Sequence, residues 1–212
     1  QQGLSELFSS LQKANQLEYL SLNFDPGYQI EVFDVQLWTS FFQRTRHPIK
    51  KVRFTLHFGH IKETEQVPSL FESFKHLNYL TKLDILFWAF PSTPMGPYDD
   101  FFVSLSTSLR SLTQLEELHL LFALLPVRLE QNTFEDFTSM LKYLKKLKDL
   151  RIYFPPQENP DEGLISVAHN LKQLSNLEIL HLFFHDTNPR HQSLEVLSKS
   201  IAHLNLTDLR LE

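Results

Sequence analysis

One eight-residue pattern, Leu-x-x-Leu-x-Leu-x-Phe, recurs seven times along the 212-residue chain. Its clearest copy runs from Leu17 to Phe24. The later copies begin at Ile49, Leu80, Leu115, Leu147, Leu177 and Leu206. Successive first positions are separated by 32, 31, 35, 32, 30 and 29 residues. A period of this size indicates a stacked solenoid, in which each unit buries its apolar face against its neighbours.

Each copy of the pattern follows a segment in which apolar residues recur every three or four positions. Before Leu147, for example, Phe134, Phe137, Leu141 and Leu144 share one face of a predicted helix. After Leu147 the apolar period changes to two, as expected for a strand with one buried face. The sequence therefore predicts an α/β fold of about seven helix–strand units. A curved parallel sheet would form the concave face, and the helices would form the convex face.

The core letters of the copies that begin at Leu17, Leu115 and Leu177 resemble leucine-rich repeats. The length of the unit and its helix are similar to the ribonuclease-inhibitor-like class, which also occurs in F-box adaptors and NOD-like receptors. The resemblance implies that residues 1–212 form a single leucine-rich repeat domain. Because neither end resembles the polar cap that a solenoid needs, we expect the domain to be a segment of a longer chain.

The eighth position of the pattern departs from that class, whose repeats usually carry Asn or Cys just after the strand. This chain instead places Phe there in five copies, at Phe24, Phe87, Phe122, Phe154 and Phe184. The alternation of a strand turns this position inward, together with positions four and six. We therefore predict a phenylalanine spine inside the solenoid.

Two outward positions of the strand predict a binding surface on the concave face. The fifth position is mostly basic and contributes Arg53, His119, Arg151, His181 and Arg210. The seventh position becomes apolar and aromatic toward the C-terminal half, with Leu86, Leu121, Tyr153 and Phe183. Outward-facing aromatic residues beside Arg are typical of protein interfaces. We predict that these nine residues bind a partner. The alternative is that neighbouring side chains, or another domain of the same protein, cover the apolar residues.

The predicted function is that of a non-enzymatic protein–protein interaction scaffold. Its partner would be a protein or peptide with an apolar, partly acidic surface. An alternative is a ligand-sensing or substrate-adaptor segment of a larger multidomain regulatory protein. Nucleic-acid binding through the basic stripe is disfavoured by the net charge of −5. An engineered repeat is disfavoured by the irregular spacing of the copies.

No catalytic motif competes with the repeat. The sequence has no glycine-rich phosphate loop, no His-Glu-x-x-His and no Gly-x-Ser-x-Gly. It has ten histidines, but those four apart on a predicted strand lie about 13 Å apart, too far to share one metal ion. We therefore predict no metal site and no cofactor. No apolar stretch reaches the roughly 18 residues of a membrane helix, so no membrane insertion is expected. The absence of cysteine is compatible with an intracellular protein, cytoplasmic or nuclear.

Overall fold

The computed structural model of the chain describes residues 2–14, 16–23, 35–45, 48–57, 67–88, 98–123, 129–184 and 189–212. Within these residues, helices and strands alternate along the sequence. The helices are α1 (Gln2–Lys13), α2 (Val35–Arg44), α3 (Val67–Ser73), α4 (Tyr98–Ser111), α5 (Gln131–Ser139), α6 (Pro160–Leu171) and α7 (His191–Ile201). The strands are β1 (Tyr19–Asn23), β2 (Lys51–His57), β3 (Lys82–Trp88), β4 (Glu117–Ala123), β5 (Asp149–Phe154), β6 (Ile179–Phe184) and β7 (Asp208–Leu211). Short 3-10 turns extend α3 through Phe74–His76 and α5 through Met140–Tyr143.

The seven strands form one parallel sheet in sequential order from β1 to β7. Equivalent positions of the repeat are direct cross-strand neighbours. The fifth positions, for instance, pair from Ser21 through Arg53, Asp84, His119, Arg151 and His181 to Arg210. The predicted α/β solenoid of seven helix–strand units is therefore confirmed. No helix in these described segments is long and apolar enough to cross a membrane.

The core lies between the sheet and the helices. Positions one, four and six of the fifth copy are Leu147, Leu150 and Ile152, and none of them is exposed. Their spacing produces this burial because alternate strand residues point to one side of the sheet. Helix residues pack against the same side: the rings of Phe102 in α4 and Phe122 in β4 have centroids 4.9 Å apart.

The phenylalanine spine is confirmed for the described residues. Phe87, Phe122 and Phe154 are at most 3% exposed, and Phe184 is half-buried. The rings of Phe87 and Phe122 stack with centroids 5.5 Å apart and planes 10° apart, and those of Phe154 and Phe184 stack at 4.9 Å. Stacked aromatic residues thus link neighbouring units. Phe24, the remaining predicted member, lies outside the described residues.

The start of each strand after β1 is fixed by backbone hydrogen bonds to the preceding unit. The Glu116 carbonyl accepts hydrogen bonds from the backbone N–H groups of both Lys148 and Asp149, at 2.8 and 3.0 Å. The Lys148 carbonyl in turn accepts bonds from Glu178 and Ile179. The same arrangement connects the earlier units. It sets every strand in the same register, so that equivalent side chains line up across the sheet.

Candidate partner-binding face

The side of the sheet away from the helices carries positions three, five and seven of the repeat, and we call it the open face. On β5 these positions are Asp149, Arg151 and Tyr153. Their exposure increases along the strand: Asp149 is buried, Arg151 is intermediate and Tyr153 is exposed. Tyr153, at the seventh position, is therefore the most exposed residue of this strand.

The four apolar residues predicted at the centre of the site lie side by side on β3 to β6. They are cross-strand neighbours in the order Leu86, Leu121, Tyr153 and Phe183, and we call them the apolar row. Tyr153 is 38% exposed, and the other three are half-buried. The rings of Tyr153 and Phe183 stack with centroids 4.2 Å apart and planes 12° apart. The row therefore ends in a flat aromatic surface.

An open groove of about 270 Å³ follows the apolar row. Its lining also includes His119, Arg151 and His181. Pockets for drug-sized molecules occupy about 300–1,000 Å³ and enclose most of the ligand. This groove is smaller and open, which favours the side chains of a macromolecule over a small molecule. Arg53 lines a second, more polar depression of about 480 Å³ toward β1, and Arg210 lies on β7.

Ion pairs join β2 to β5 beside the apolar row. Arg53 lies 3.2 Å from Asp84, and Nδ1 of His119 lies 2.8 Å from the same carboxylate. On its other side, Nε2 of His119 lies 3.2 Å from Asp149, which accepts two hydrogen bonds from Arg151 at 2.9 and 2.8 Å. We call these five residues the charge chain. His119 thus bridges two carboxylates that strands on either side supply.

The charge chain favours a protonated His119. Burial of the imidazole opposes protonation, but its contacts with Asp149 and Asp84 outweigh burial and raise the pKa of His119. The attraction is electrostatic more than directional, because Nε2 is buried and not aligned for a hydrogen bond with the described residues. An imidazole with a carboxylate at each nitrogen is stabilised in its doubly protonated form.

The two carboxylates of the charge chain are held ionised. Burial alone would raise the pKa of Asp149, but His119 and the paired Arg151 lower it well below its ordinary value. Burial likewise opposes ionisation of Asp84, and contacts with His119, Lys82 and Arg53 lower its pKa. The hydrogen bond to Asp149 also raises the pKa of Arg151. All five groups are therefore charged below the pKa of His119 and above those of the two aspartates.

The remaining basic residues of the predicted site also have acidic neighbours. His181 is 4% exposed, and its Nε2 lies 2.8 Å from Asp208. Arg210 lies 3.7 Å from the same side chain. The stripe predicted as mostly basic is therefore a mixed-charge surface. Sequence reasoning missed Asp149 and Asp208 because it considered positions five and seven only. Both aspartates occupy position three, on the same face and two residues before Arg151 and Arg210.

Within the charge chain, exposure nevertheless separates the arginines from the aspartates. The side chains of Arg53 and Arg151 are 55% and 43% exposed, whereas those of Asp84 and Asp149 are 6% and 12% exposed. Water and any partner therefore meet the guanidinium groups first. The carboxylates beneath them hold the arginines in place.

One group of side chains has the spacing of metal ligands within the described segments. Donor atoms of Glu117, His119 and Asp149 lie within 4.8 Å of one another. The histidine pairs considered in the sequence did not include this group, because its acids come from positions three of two strands. Lys82 pairs with Glu117 at 2.5 Å and Arg151 pairs with Asp149. These carboxylates already have cationic partners, so we expect the group to act in ion pairing and not to hold a metal.

Comparison with known proteins identifies similar folds but assigns the chain to no family. No protein-family model matches the sequence, and no curated protein matches it. The C-terminal domain of tropomodulin from Caenorhabditis elegans is similar in structure, with 11% sequence identity and a TM-score of 0.53 over 80% of this chain and 92% of that chain. Actin-binding site 2 of leiomodin-1 is similar with 13% identity and a TM-score of 0.54 over 81% and 90%. Identity at this level shows the fold alone.

The resemblance to the ribonuclease-inhibitor-like class was wrong. The two similar structures named above belong to tropomodulin and leiomodin, whose folds are related to leucine-rich repeats. The physical reason is that Leu at positions one, four and six meets the needs of any solenoid with a buried leucine core. Those letters identify the stacked fold but not a class within it. Phe at position eight was the departure that pointed away from that class.

Proposed function

We propose that the chain is a non-enzymatic interaction module that binds a protein or peptide across the open face of its sheet. The observation that supports this most strongly is the apolar row, in which Leu86, Leu121, Tyr153 and Phe183 occupy outward positions on four consecutive strands. Outward positions of a one-sided sheet are ordinarily polar. A contiguous apolar row at such positions is characteristic of an interaction surface.

The aromatic end of the row offers a useful binding energy. A partner that covered the exposed 38% of Tyr153 would remove on the order of 60–90 Å² of surface from water, worth about 2 kcal/mol. Phe183 stacks on this ring and holds it flat, so little side-chain entropy is lost on binding. Tyr153 and Phe183 are therefore the proposed anchors.

The charges around the row suggest a partner with acidic as well as apolar groups. Arg151 binds Asp149 through Nε and Nη2. Its Nη1 makes no hydrogen bond within the described parts of the chain and can donate hydrogen bonds to a partner's carboxylate. Arg53 and Arg210 extend the same chemistry toward the two ends of the sheet. His119 and His181 are less accessible and would act mainly by holding the surrounding carboxylates.

The structural comparisons are compatible with this proposal. One of the similar structures is named as an actin-binding site, so actin is a reasonable first candidate among protein partners. The alternative of a ligand-sensing or substrate-adaptor segment in a larger protein would use the same face. That alternative, the extent of the domain and the intracellular location stay predictions.

A capture experiment with matched variants tests the proposal. Wild-type protein and the double variant Arg151→Glu/Phe183→Ala would be immobilised and exposed to purified actin and to cell lysate. A control variant, Val103→Ala/Tyr143→Ala, changes two residues away from the open face that are 44% and 42% exposed.

We expect a partner that binds wild type and control equally and binds the open-face variant at least about tenfold more weakly. Circular dichroism would verify that all three proteins are folded. Equal affinity for the wild type and the open-face variant would refute the proposed site.

A further inference from the structure

We infer that the partner presents an amphipathic α-helix to the apolar row, lying across strands β3 to β6 with an acidic residue beside Arg151. This inference rests on the proposed function and adds the conformation of the bound segment. It follows from the spacing of the row, from the hydrogen-bonding state of the sheet and from the position of the exposed guanidinium.

The spacing of the row matches helical turns better than alternate residues of an extended chain. Neighbouring strands lie about 4.8 Å apart, so the three intervals from Leu86 to Phe183 span about 14 Å. Three turns of an α-helix rise about 16 Å. In an extended chain, side chains on one face repeat every 6.6–6.8 Å, so three intervals span about 20 Å. The mismatch is about 2 Å for a helix and about 6 Å for a strand.

Backbone hydrogen bonding independently favours a bound helix over a bound extended chain. The strands under the row are paired on both sides within the sheet, since β3 lies between β2 and β4 and β6 lies between β5 and β7. Their N–H and C=O groups are therefore committed to their neighbours. An extended peptide across the apolar row would bury its own backbone groups without partners. A helix satisfies its backbone internally and can place an apolar face on apolar side chains.

The flank of the groove defines where the charge of the helix must lie. His119, Arg151 and His181 line the groove along one side of the apolar row. Of these, Arg151 is the most accessible, with 43% of its side chain exposed. His181 is almost fully buried. An acidic residue next to the apolar stripe of the helix would therefore meet Arg151.

Selection from a random peptide library tests the conformation directly. Random 16-residue peptides displayed on phage would be selected on the wild-type protein and depleted on the variant Tyr153→Ala/Phe183→Ala. Peptides would be kept only if they also bind the control variant Val103→Ala/Tyr143→Ala. The kept peptides would then be synthesised, and their affinities measured by fluorescence anisotropy and their bound conformation by circular dichroism.

We expect the kept sequences to repeat apolar residues at i, i+3 or i+4, and i+7, with an acidic residue on one flank. A central proline should abolish their binding, and Arg151→Glu should weaken it about tenfold. Kept sequences with apolar residues at every second position would overturn the inference and leave the proposed function intact. Failure to find any peptide whose binding depends on the apolar row would also overturn the inference. The proposed function is tested separately, by the capture experiment.

A second copy of the chain is the competing occupant. Sedimentation analysis of the wild type and of Tyr153→Ala/Phe183→Ala would be run at the concentrations used for selection. We expect that neither the wild type nor the variant self-associates through this face. Self-association of the wild type that the variant loses would show that another copy occupies the apolar row, and would overturn the inference.

Discussion

Replacement of His119 by Gln should remove a pH-dependent part of the stability of the sheet. In the wild type, His119 lies between Asp84 and Asp149 at 2.8 and 3.2 Å. Because folding raises the pKa of His119, its contribution is complete below its ordinary value of about 6.5 and is lost as pH rises through the higher folded value. A single proton limits the slope to about 1.4 kcal/mol per pH unit.

The size of the effect at pH 6 follows from the partners that remain. Removing one member of a buried ion pair costs about 3–5 kcal/mol when the other charge is left alone. Here Asp84 keeps Arg53 and Asp149 keeps Arg151, and both arginines are partly exposed. We therefore expect His119→Gln to cost about 1–3 kcal/mol at pH 6 and less at pH 8.5.

Urea denaturation at half-unit steps from pH 5.5 to 8.5 measures the effect. The informative quantity is the difference in unfolding free energy between wild type and variant, because the rest of the protein is common to both. His203→Gln, at an exposed position, is the matched control and should keep the wild-type pH dependence. A wild type with a flat profile, or a His119→Gln variant with the same slope as the wild type, would refute the argument. Loss of stability as the pH falls below the ordinary carboxyl pKa is separate, because Asp84 and Asp149 are among the carboxyl groups whose pKa values folding lowers.

Three further predictions concern stability. Phe122→Ala should lower the free energy of unfolding, measured in urea, by about 3–5 kcal/mol, because the buried ring stacks on Phe87. A loss below about 1 kcal/mol would argue against the phenylalanine spine as a link between units. Gln157→Met should raise the free energy of unfolding by about 1–3 kcal/mol, because the side-chain amide oxygen and nitrogen are both buried without hydrogen-bond partners among the described residues. An unchanged free energy of unfolding would show that the amide has hydrogen-bond partners. Zinc chloride should leave Tm as it is in EDTA, because Lys82 and Arg151 already neutralise the carboxylates around His119; a Tm raised by zinc would contradict that assignment.

The sequence was sufficient to predict the fold because each unit obeys the same local rule. Leu at positions one, four and six and Phe at position eight must all turn inward, and this fixes strand parity and hence the members of the apolar row. The pairing of charges between strands could not be predicted from this rule. Whether His119 contacts Asp84 and Asp149 or a partner depends on side-chain geometry between neighbouring strands, which the period of the repeat does not specify.

Burial of the acidic partners was also beyond the sequence pattern. Asp84 occupies an outward position, yet its side chain is only 6% exposed because Arg53 and His119 cover it. A pattern of alternating positions assigns such a residue to solvent. The predicted basic stripe therefore left out the carboxylates with which its cations pair.

The carbonyl of each unit that anchors the next strand has an evolutionary consequence. Because the Glu116 carbonyl positions Lys148 and Asp149 through their backbone N–H groups, this part of the joint between units makes little demand on side-chain identity. An in-frame gene duplication of one whole unit would add a strand in correct register and lengthen the open face by about 4.8 Å. Deletion of a unit would shorten it by the same step. The length of a recognised segment can thus change in discrete increments, without redesign of the residues that already bind it.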